Sequence, residues 1–195
     1  MHPSERETRP AGAAAAEAEA AAAVLAGDAD AFEAIVRRYE KPLFGYLLAL
    51  LGDRDEAADA AQEAFVKAYK ALGRYDRGQP FKPWLFRIGT NEALSRRRSA
   101  ARKPAASLDA RPALRAALRD NSPSPRSEAE RRELAERLAE AVERLPADAR
   151  ALFDLRYRQE LSLEEIGAIV GRKANTVAVA LHRIRLRLRW LVYGD

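Results

Sequence analysis

The chain has 195 residues, of which 48% are hydrophobic and 32% charged, and its formal net charge is +5. It contains no cysteine and two histidines, which excludes disulfides and thiolate metal sites and argues against a zinc enzyme. The longest nearly uncharged apolar run, residues 42–52, is about half of the ~20 residues that a membrane-spanning helix needs. We therefore expect a cytoplasmic protein without membrane insertion.

An alanine-rich leader occupies residues 1–26 and contains almost no large side chain to bury. A segment with so little apolar surface cannot offset the entropy lost on ordering, so we expect little fixed structure there. At Gly27-Asp28 an acid that can cap a helix precedes an apolar stripe at helical spacing. The first folded domain is therefore expected to begin near residue 27.

Three helices are expected in this first domain, residues 27–101. The first is bent or restarted at Pro42 because proline lacks the backbone N–H that a helix interior uses. The second runs over about residues 55–72, with alanines on one face and acids on the other. Glycines and prolines make residues 73–83 a loop, and a third helix follows over about residues 84–98.

A basic, proline-rich segment, residues 102–127, follows the first domain. It contains four prolines and the tract NSPSP, and its basic residues outnumber its acidic ones. Such a composition is typical of a flexible linker between domains.

The second domain is expected over residues 128–193. Its first helix must end before Pro146, and a capping box of Ser162 and Glu165 marks the start of a later helix. That helix ends at Gly171, and a last helix begins after a turn of about four residues. The sequence therefore predicts an all-α protein of two small helical domains joined by a linker.

A short capped helix, a glycine turn and a longer arginine-rich helix have the spacing of a DNA-binding helix-turn-helix. On spacing alone, the pattern is equally typical of a helical hairpin with a solvated arginine face. Six basic residues and no acid occur from Arg172 to Arg189, whereas soluble surfaces usually mix their signs. The charge pattern therefore favours nucleic acid as the partner.

No pattern typical of an enzyme site occurs in the sequence. There is no glycine-rich phosphate loop, no nucleophile with a paired base, and no carboxylate cluster beyond those that capping and solubility explain. We expect a protein without enzymatic activity, cofactor or metal.

Two stretches resemble domains of bacterial RNA polymerase sigma factors. Residues 59–98 (DAAQEAFVKAYKALGRYDRGQPFKPWLFRIGTNEALSRRR) resemble the promoter-melting domain. Residues 145–189 (LPADARALFDLRYRQELSLEEIGAIVGRKANTVAVALHRIRLRLR) resemble the domain that reads the minus-thirty-five element. In this order, with a linker between them, they are similar to the extracytoplasmic-function group of the sigma-70 family. The resemblance spans about residues 27–101 and 128–192.

The resemblance implies a sigma factor that binds core RNA polymerase and promoter DNA, melts the DNA and starts transcription, with an anti-sigma factor as a further candidate partner. It implies that core polymerase contacts the second helix at Asp59, Gln62, Glu63 and Val66. It implies that the loop and third helix bind the minus-ten element through Tyr75, Lys82, Trp84, Arg87, Asn91, Arg96 and Arg97. It implies that the last helix and its preceding turn bind the minus-thirty-five element through Arg172, Lys173, Asn175, Thr176, Ala178, Val179, His182, Arg183 and Arg185.

Aromatic side chains beside cations suit strand separation, because an unpaired base can stack while cations hold the backbone. Among the minus-ten candidates, Trp84 is expected mainly to pack the helical bundle. Tyr75, Lys82, Arg87 and Asn91 are the better candidates for direct contact with DNA.

The last helix departs from the family pattern at Ala178, Val179 and Ala180, where polar readers are usual. Either the upstream element is read through thymine methyls and DNA shape, or this domain binds DNA weakly and serves another contact. Lys173 also takes a place where a capping serine is common, and a cation there opposes the helix macrodipole. A one-component regulator that binds duplex DNA without polymerase is an alternative, as is a degenerate sigma factor that binds polymerase without starting transcription.

Overall fold

The structure, a computed structural model, describes residues 11–101 and 125–194, with side chains for residues 15–99 and 130–194. Helices and their connections, without any strand, make up these ranges, which confirms the all-α prediction. The α-helices are α1 (Ala11–Leu25), α2 (Ala31–Leu51), α3 (Arg54–Ala71), α4 (Phe81–Ala101), α5 (Pro125–Glu143), α6 (Ala147–Phe153), α7 (Leu163–Val170) and α8 (Ala174–Tyr193). Within the described ranges, every helix is too short or too polar to cross a lipid bilayer.

The helix α2 runs without interruption through Pro42, so the chain does not restart there. An interior proline costs about 3 kcal/mol in a helix. The large side chains on either side, Tyr39, Leu43 and Tyr46, are all buried, and each such burial contributes about 2 kcal/mol. Burial therefore outweighs the hydrogen bond that Pro42 cannot make.

The helices α3 and α4 complete the first domain. The side chain of Asp53 caps α3 by accepting a hydrogen bond of 2.9 Å from the backbone N–H of Glu56. The helix α4 begins at Phe81, earlier than the predicted start near Trp84. Pro83 lies in the first turn of α4, where no backbone N–H is needed, so it is compatible with this longer helix.

The leader contains a helix, α1, where the sequence predicts little fixed structure. The prediction was based on the lack of large side chains, but Ala21 and Glu17 are both buried against the first domain. Alanine lets helix backbones approach closely, and a polar side chain at position 17 supplies a contact that a search for apolar stripes does not detect. Residues 1–10 of the predicted leader lie outside the described residues.

The second domain contains α5 to α8. The helix α5 begins at Pro125, inside the predicted linker, because proline suits the first position of a helix. The remainder of that linker, residues 102–124, lies outside the described residues. The capping box before α7 is confirmed: Ser162 Oγ accepts from the N–H of Glu165 at 3.1 Å, and Glu165 Oε2 accepts from the N–H of Ser162 at 2.8 Å.

The turn between α7 and α8 depends on two glycines. Gly171 ends α7 with φ of +67°, in the left-handed region that favours glycine. A Cβ at Gly167 would lie 2.5 Å from the carbonyl oxygen of Arg172, so a larger residue would push the turn away from α7. These glycines therefore set the position at which α8 begins.

The two domains pack against each other, α2 on α6 and α4 on α7, and their buried apolar side chains form one continuous cluster. Polar contacts that cross this interface are Arg97 Nη1 to Asp148 Oδ1 at 2.7 Å, Lys82 Nζ to the carbonyl oxygen of Gln159 at 2.9 Å, and Arg150 Nε to the carbonyl oxygen of Ala49 at 3.3 Å.

Candidate nucleic-acid interface

The outer surface of the helix-turn-helix lies on the first turns of α8 and the turn before it. Val177, Leu181, Ile184 and Leu188 bury the inner side of α8 against the domain core. The outer side carries the predicted upstream readers, and we call it the recognition face. Its members are Arg172, Lys173, Asn175, Thr176, Val179, His182, Arg183 and Arg185, which are exposed, and Ala178, which is half-buried.

The cations of the recognition face have no acidic partner in the part of the chain that the structure describes. Among the described residues, none of Arg172, Lys173, Arg183 and Arg185 has a carboxylate within ion-pair distance. Lys173 precedes α8 in extended conformation without a side-chain cap, which agrees with the predicted loss of a capping residue. Unpaired cations on one face retain their full attraction for a polyanion.

The centre of the recognition face is apolar, as the sequence suggests. Val179 is 52% exposed, a large fraction for a branched apolar side chain. Ala178 beside it offers a methyl group and no hydrogen-bond donor. This part of α8 can make apolar contacts in a major groove, but it cannot donate or accept hydrogen bonds at base edges.

The outer face of α3 carries the candidate residues for polymerase binding. Alanines bury the inner side of α3, while Asp59 and Gln62 are exposed, Glu63 is half-buried and Val66 is 39% exposed. Asp59 Oδ2 lies 3.5 Å from Arg96 Nη1, so this acid is partly neutralised within the protein. We call these four residues the α3 face, and its carboxylates and amide can accept hydrogen bonds from a partner.

Four of the seven minus-ten candidates lie in two different environments. Arg87 and Asn91 are exposed one turn apart on α4. Lys82 and Arg97 are instead joined to the second domain, through Gln159 and Asp148 respectively. Arg97 stays exposed beside its ion pair, whereas Lys82 is half-buried.

Arg96 belongs to an ion-pair network that holds α3 against α4. Glu92 accepts from Lys67 at 2.5 Å and from Arg96 Nε at 2.9 Å. The hydrogen bond from Lys67 holds the pKa of Glu92 below its ordinary value, although burial acts against this. The network gives Arg96 a structural role that the sequence did not reveal, because its partners are distant along the chain.

Tyr75 and Trp84 belong to an aromatic cluster in the core. The ring centroid of Phe81 lies 5.1 Å from that of Tyr75 and 5.2 Å from that of Trp84. Tyr75 is 9% exposed, and its hydroxyl donates to the carbonyl oxygen of Gln79 at 2.5 Å. Tyr75 therefore braces the loop from inside and is not available to stack on a base here, whereas Trp84 packs as expected.

Each of the two domains matches a known protein family. Residues 35–103 match the Sigma-70 region 2 family, and residues 135–188 match the family Sigma-70, region 4. The ECF RNA polymerase sigma factor SigW of Bacillus subtilis (strain 168) is 35% identical over 169 residues, which cover 84% of this chain and 89% of SigW. The chain belongs to the ECF sigma factors of the sigma-70 family.

Other relatives of this sigma factor agree with that assignment. The ECF RNA polymerase sigma-E factor of Escherichia coli (strain K12) is 34% identical over 164 residues, covering 82% of this chain and 85% of the relative. CnrH, solved in complex with the cytosolic domain of CnrY, is 27% identical with a TM-score of 0.63, covering 92% of this chain and 99% of CnrH. RpoE from Bartonella quintana, solved with the anti-sigma factor NepR, has a TM-score of 0.64 at 24% identity, covering 85% and 99%, and shows the same fold.

The contact between region 2 and region 4 of this sigma factor brings predicted site residues next to residues that the sequence did not indicate, namely Asp148 and Gln159. Arg87 and Asn91 face residues 167–172 across an open cavity of about 450 Å³. Asp148 and Gln159, which hold Arg97 and Lys82, lie far away in sequence. An exposed acid and a backbone carbonyl carry no local signal, so only the fold reveals them.

A buried carboxylate also lies beside this contact. Asp154 is 2% exposed, and burial raises its pKa above the ordinary value. Arg158 at 3.6 Å and the side-chain amide of Gln159 at 3.1 Å partly offset that burial, and the charge of Lys82 acts in the same direction.

Proposed function

We propose that this sigma factor holds core RNA polymerase through the α3 face, captures the minus-ten element on α4 and contacts the minus-thirty-five element through the recognition face. The observation that carries the proposal is the presence of both sigma-70 regions in one chain. Their exposed surfaces are acidic on α3 and basic on α8. The proposal assigns binding and positioning roles and no catalytic step to the chain. It places the protein in the cytoplasm, where polymerase and promoters are found.

The α3 face supports the polymerase contact by its exposure and chemistry. Gln62 is exposed with a donor and an acceptor, and Val66 adds an apolar side chain beside it. A small apolar centre with a hydrogen-bonding and acidic border suits a basic partner surface. Gln62 is the residue of this face that we expect to contribute most, because it is exposed and, unlike Asp59, is not attracted by the charge of Arg96.

The minus-ten contact is supported by the placement of Arg87 and Asn91. The guanidinium of Arg87 can hold a phosphate or stack on a base, and the amide of Asn91 can form paired hydrogen bonds with a base edge. Both side chains are exposed on one side of α4. We assign Asn91 to base preference and Arg87 to the backbone of the separated strand.

The minus-thirty-five contact is supported by cations that surround an apolar centre and have no acidic partner among the described residues. Arg172, Arg183 and Arg185 can neutralise phosphates, which gives affinity without sequence preference. Val179 and Ala178 can contact thymine methyl groups. We therefore expect an upstream element that is read weakly and favours thymine.

Simultaneous binding of both elements requires the two domains to separate. The element names imply about 25 base pairs between them, or roughly 85 Å of B-form DNA at about 3.4 Å per pair. The domains instead touch through contacts such as Arg97 to Asp148 at 2.7 Å. The 102–124 segment has a length that can reach at most about 80 Å, so it is long enough for most of that separation.

An anti-sigma factor is a further partner in this proposal. CnrH and RpoE, which this chain resembles in fold, were solved with CnrY and with the anti-sigma factor NepR respectively. A protein that stabilises the packed domains would prevent them from binding the two promoter elements at the same time.

Pull-down with core polymerase and transcription in vitro on a genomic fragment library test the proposal. We expect the Gln62→Lys variant to lose about tenfold in core affinity, since it removes a hydrogen bond and adds charge against a basic partner. Glu40→Gln on the exposed side of α2 changes the net charge by the same amount and serves as the control. The proposal fails if the wild-type chain does not bind core polymerase, and tight binding of duplex DNA by the isolated chain would favour a one-component regulator.

A further inference from the structure

The helix α1 contains one buried acid in a stretch that is otherwise mostly alanine. It lies outside the residues that match region 2, which begin at residue 35. Glu17 is 3% exposed, whereas Glu19 in the same helix points to solvent. Burial of an ionised carboxylate is costly unless it is paired, so the partners of Glu17 define what α1 does.

Two consecutive residues of α2 contact the carboxylate of Glu17. The hydroxyl of Tyr39 donates to Glu17 Oε1, and Arg38 Nε lies 3.4 Å from the same oxygen. Tyr39 itself is 3% exposed. This contact attaches α1 to a buried tyrosine of region 2, and it joins residues that are 22 positions apart in sequence.

Tyr39 contacts the aromatic cluster that packs against the loop of residues 75–80. Its ring stacks on Phe81, with centroids 6.0 Å apart and an interplanar angle of 29°. Phe81 is fully buried and contacts both Tyr75 and Trp84. Tyr75 in turn holds the loop through its hydrogen bond to the carbonyl oxygen of Gln79.

The far end of α1 contacts the start of the same loop. The side chain of Leu25 reaches the short turn Leu72–Arg74, lying 3.9 Å from the position of a Cβ on Gly73. That turn leads into Tyr75. The helix α1 therefore supports the loop at two points, through the aromatic cluster and through the entrance turn.

We propose that Glu17 is a positioning residue for promoter opening: by holding Tyr39, it fixes the aromatic cluster and with it the loop of residues 75–80. The inference rests on the proposed role of region 2 in minus-ten capture. Glu17 acts through Tyr39, Phe81 and Tyr75 and does not contact DNA. The helix α1 thereby becomes part of the structure that opens the promoter.

The two tryptophans of the chain allow a direct spectroscopic test. Trp84 belongs to the cluster, and Trp190 lies on α8 with 61% exposure. In a Trp190→Phe background, the fluorescence reports on Trp84 alone. We expect Glu17→Ala to raise acrylamide quenching of Trp84 about twofold, since the loss of a buried hydrogen bond loosens its neighbours. Glu19→Ala, an exposed acid of the same helix, should leave quenching unchanged.

The functional test measures promoter opening and core binding on the same holoenzymes. Glu17→Ala should lower open-complex formation on a duplex promoter about fivefold while core affinity stays within about twofold of wild type. Glu19→Ala should behave as wild type in both assays. Tyr39→Phe, which removes only the hydroxyl, should reproduce the loss, and adding it to Glu17→Ala should cause no further loss because the two groups act as one unit.

The outcomes separate this inference from the proposed function. Absence of open complexes with the wild-type holoenzyme contradicts the proposed function itself. Normal opening and normal Trp84 quenching in Glu17→Ala overturn the positioning role. An equal loss of core binding and opening would mean that Glu17 serves only stability, and it also overturns the inference. Should Glu17→Ala fail to fold, Tyr39→Phe alone decides by the same two measurements.

Discussion

The minus-ten candidates on α4 and the recognition face on α8 are both proposed to bind DNA. Their cations differ in whether acidic residues pair with them. On α4, Arg96 is held by Glu92 and Arg97 by Asp148. On α8, the arginines have no acidic partner among the described residues. Cations that are already paired have less to gain from a phosphate. The arginines of α8 are therefore ready to bind phosphates, whereas Arg97 of α4 is released from Asp148 only when the domains separate.

Locking the domains together should produce the largest effect. The chain has no cysteine, and Leu94 and Val170 both line the cavity between α4 and α7. We expect a Leu94→Cys, Val170→Cys variant joined by a short bis-maleimide to lose transcription about twentyfold or more, in proportion to the crosslinked fraction. Single-cysteine variants treated with the same reagent are the controls. Full promoter opening by the crosslinked holoenzyme would contradict the requirement that the two domains separate.

Loss of the Asn91 amide should change base preference rather than overall activity. A paired hydrogen bond to a base discriminates by about 1–3 kcal/mol, so we expect Asn91→Ala to compress the ratio between favoured and disfavoured minus-ten sequences about tenfold. Ser95→Ala, exposed one turn further along α4, is the matched control. The measurement is transcription from a set of promoters that differ in single minus-ten bases. Identical promoter ranking in variant and wild type would count against the assignment.

Arg185→Ala should have a smaller and sequence-independent effect. Removing one phosphate contact lowers affinity for all promoters by a similar factor and reduces the slope of log K against log salt by about 0.9. The slope is measured with holoenzyme and promoter fragments over a range of potassium chloride concentrations. Arg132→Ala on the exposed side of α5 removes the same charge elsewhere. An unchanged slope for Arg185→Ala would place that residue away from DNA.

The parts of the fold that sequence reasoning predicted are those with local causes. The capping box at Ser162 and the left-handed Gly171 set α7 and the turn, because the interacting groups lie within one helical turn. The start of α4 and the helix in the leader were missed, since Phe81 and Glu17 are held by residues far away in the chain. The burial of Tyr75, which the sequence favours for base contact, was missed for the same reason, and its contact with DNA stays a prediction. Composition showed an aromatic beside cations, and only packing shows that its ring and hydroxyl are already occupied.

The smallest effect is expected for the dependence of stability on pH, which concerns the contact between the two domains. Asp154 lies beside the domain contact, facing Arg158 and Gln159 of its own segment, with Lys82 of α4 and Tyr46 of α2 nearby. Burial raises its folded-state pKa above the unfolded value. The protonated form therefore contributes stability that is fully present below the unfolded pKa of about 3.9 and is lost as pH rises through the folded-state pKa.

Asp154→Asn keeps an acceptor for the Gln159 amide and removes the charge. We expect this variant to be more stable than wild type by about 1 kcal/mol at pH 7, with the difference vanishing near pH 4. Urea unfolding at intervals between pH 4 and pH 8 measures it, and Glu164→Gln, an exposed acid of α7, is the control. If the difference instead grew toward low pH, the carboxylate would be stabilised in the fold by Arg158 and Lys82. The contact between the two domains would then depend on an ionised Asp154, and the stability that Asp154 contributes would rise with pH instead of falling.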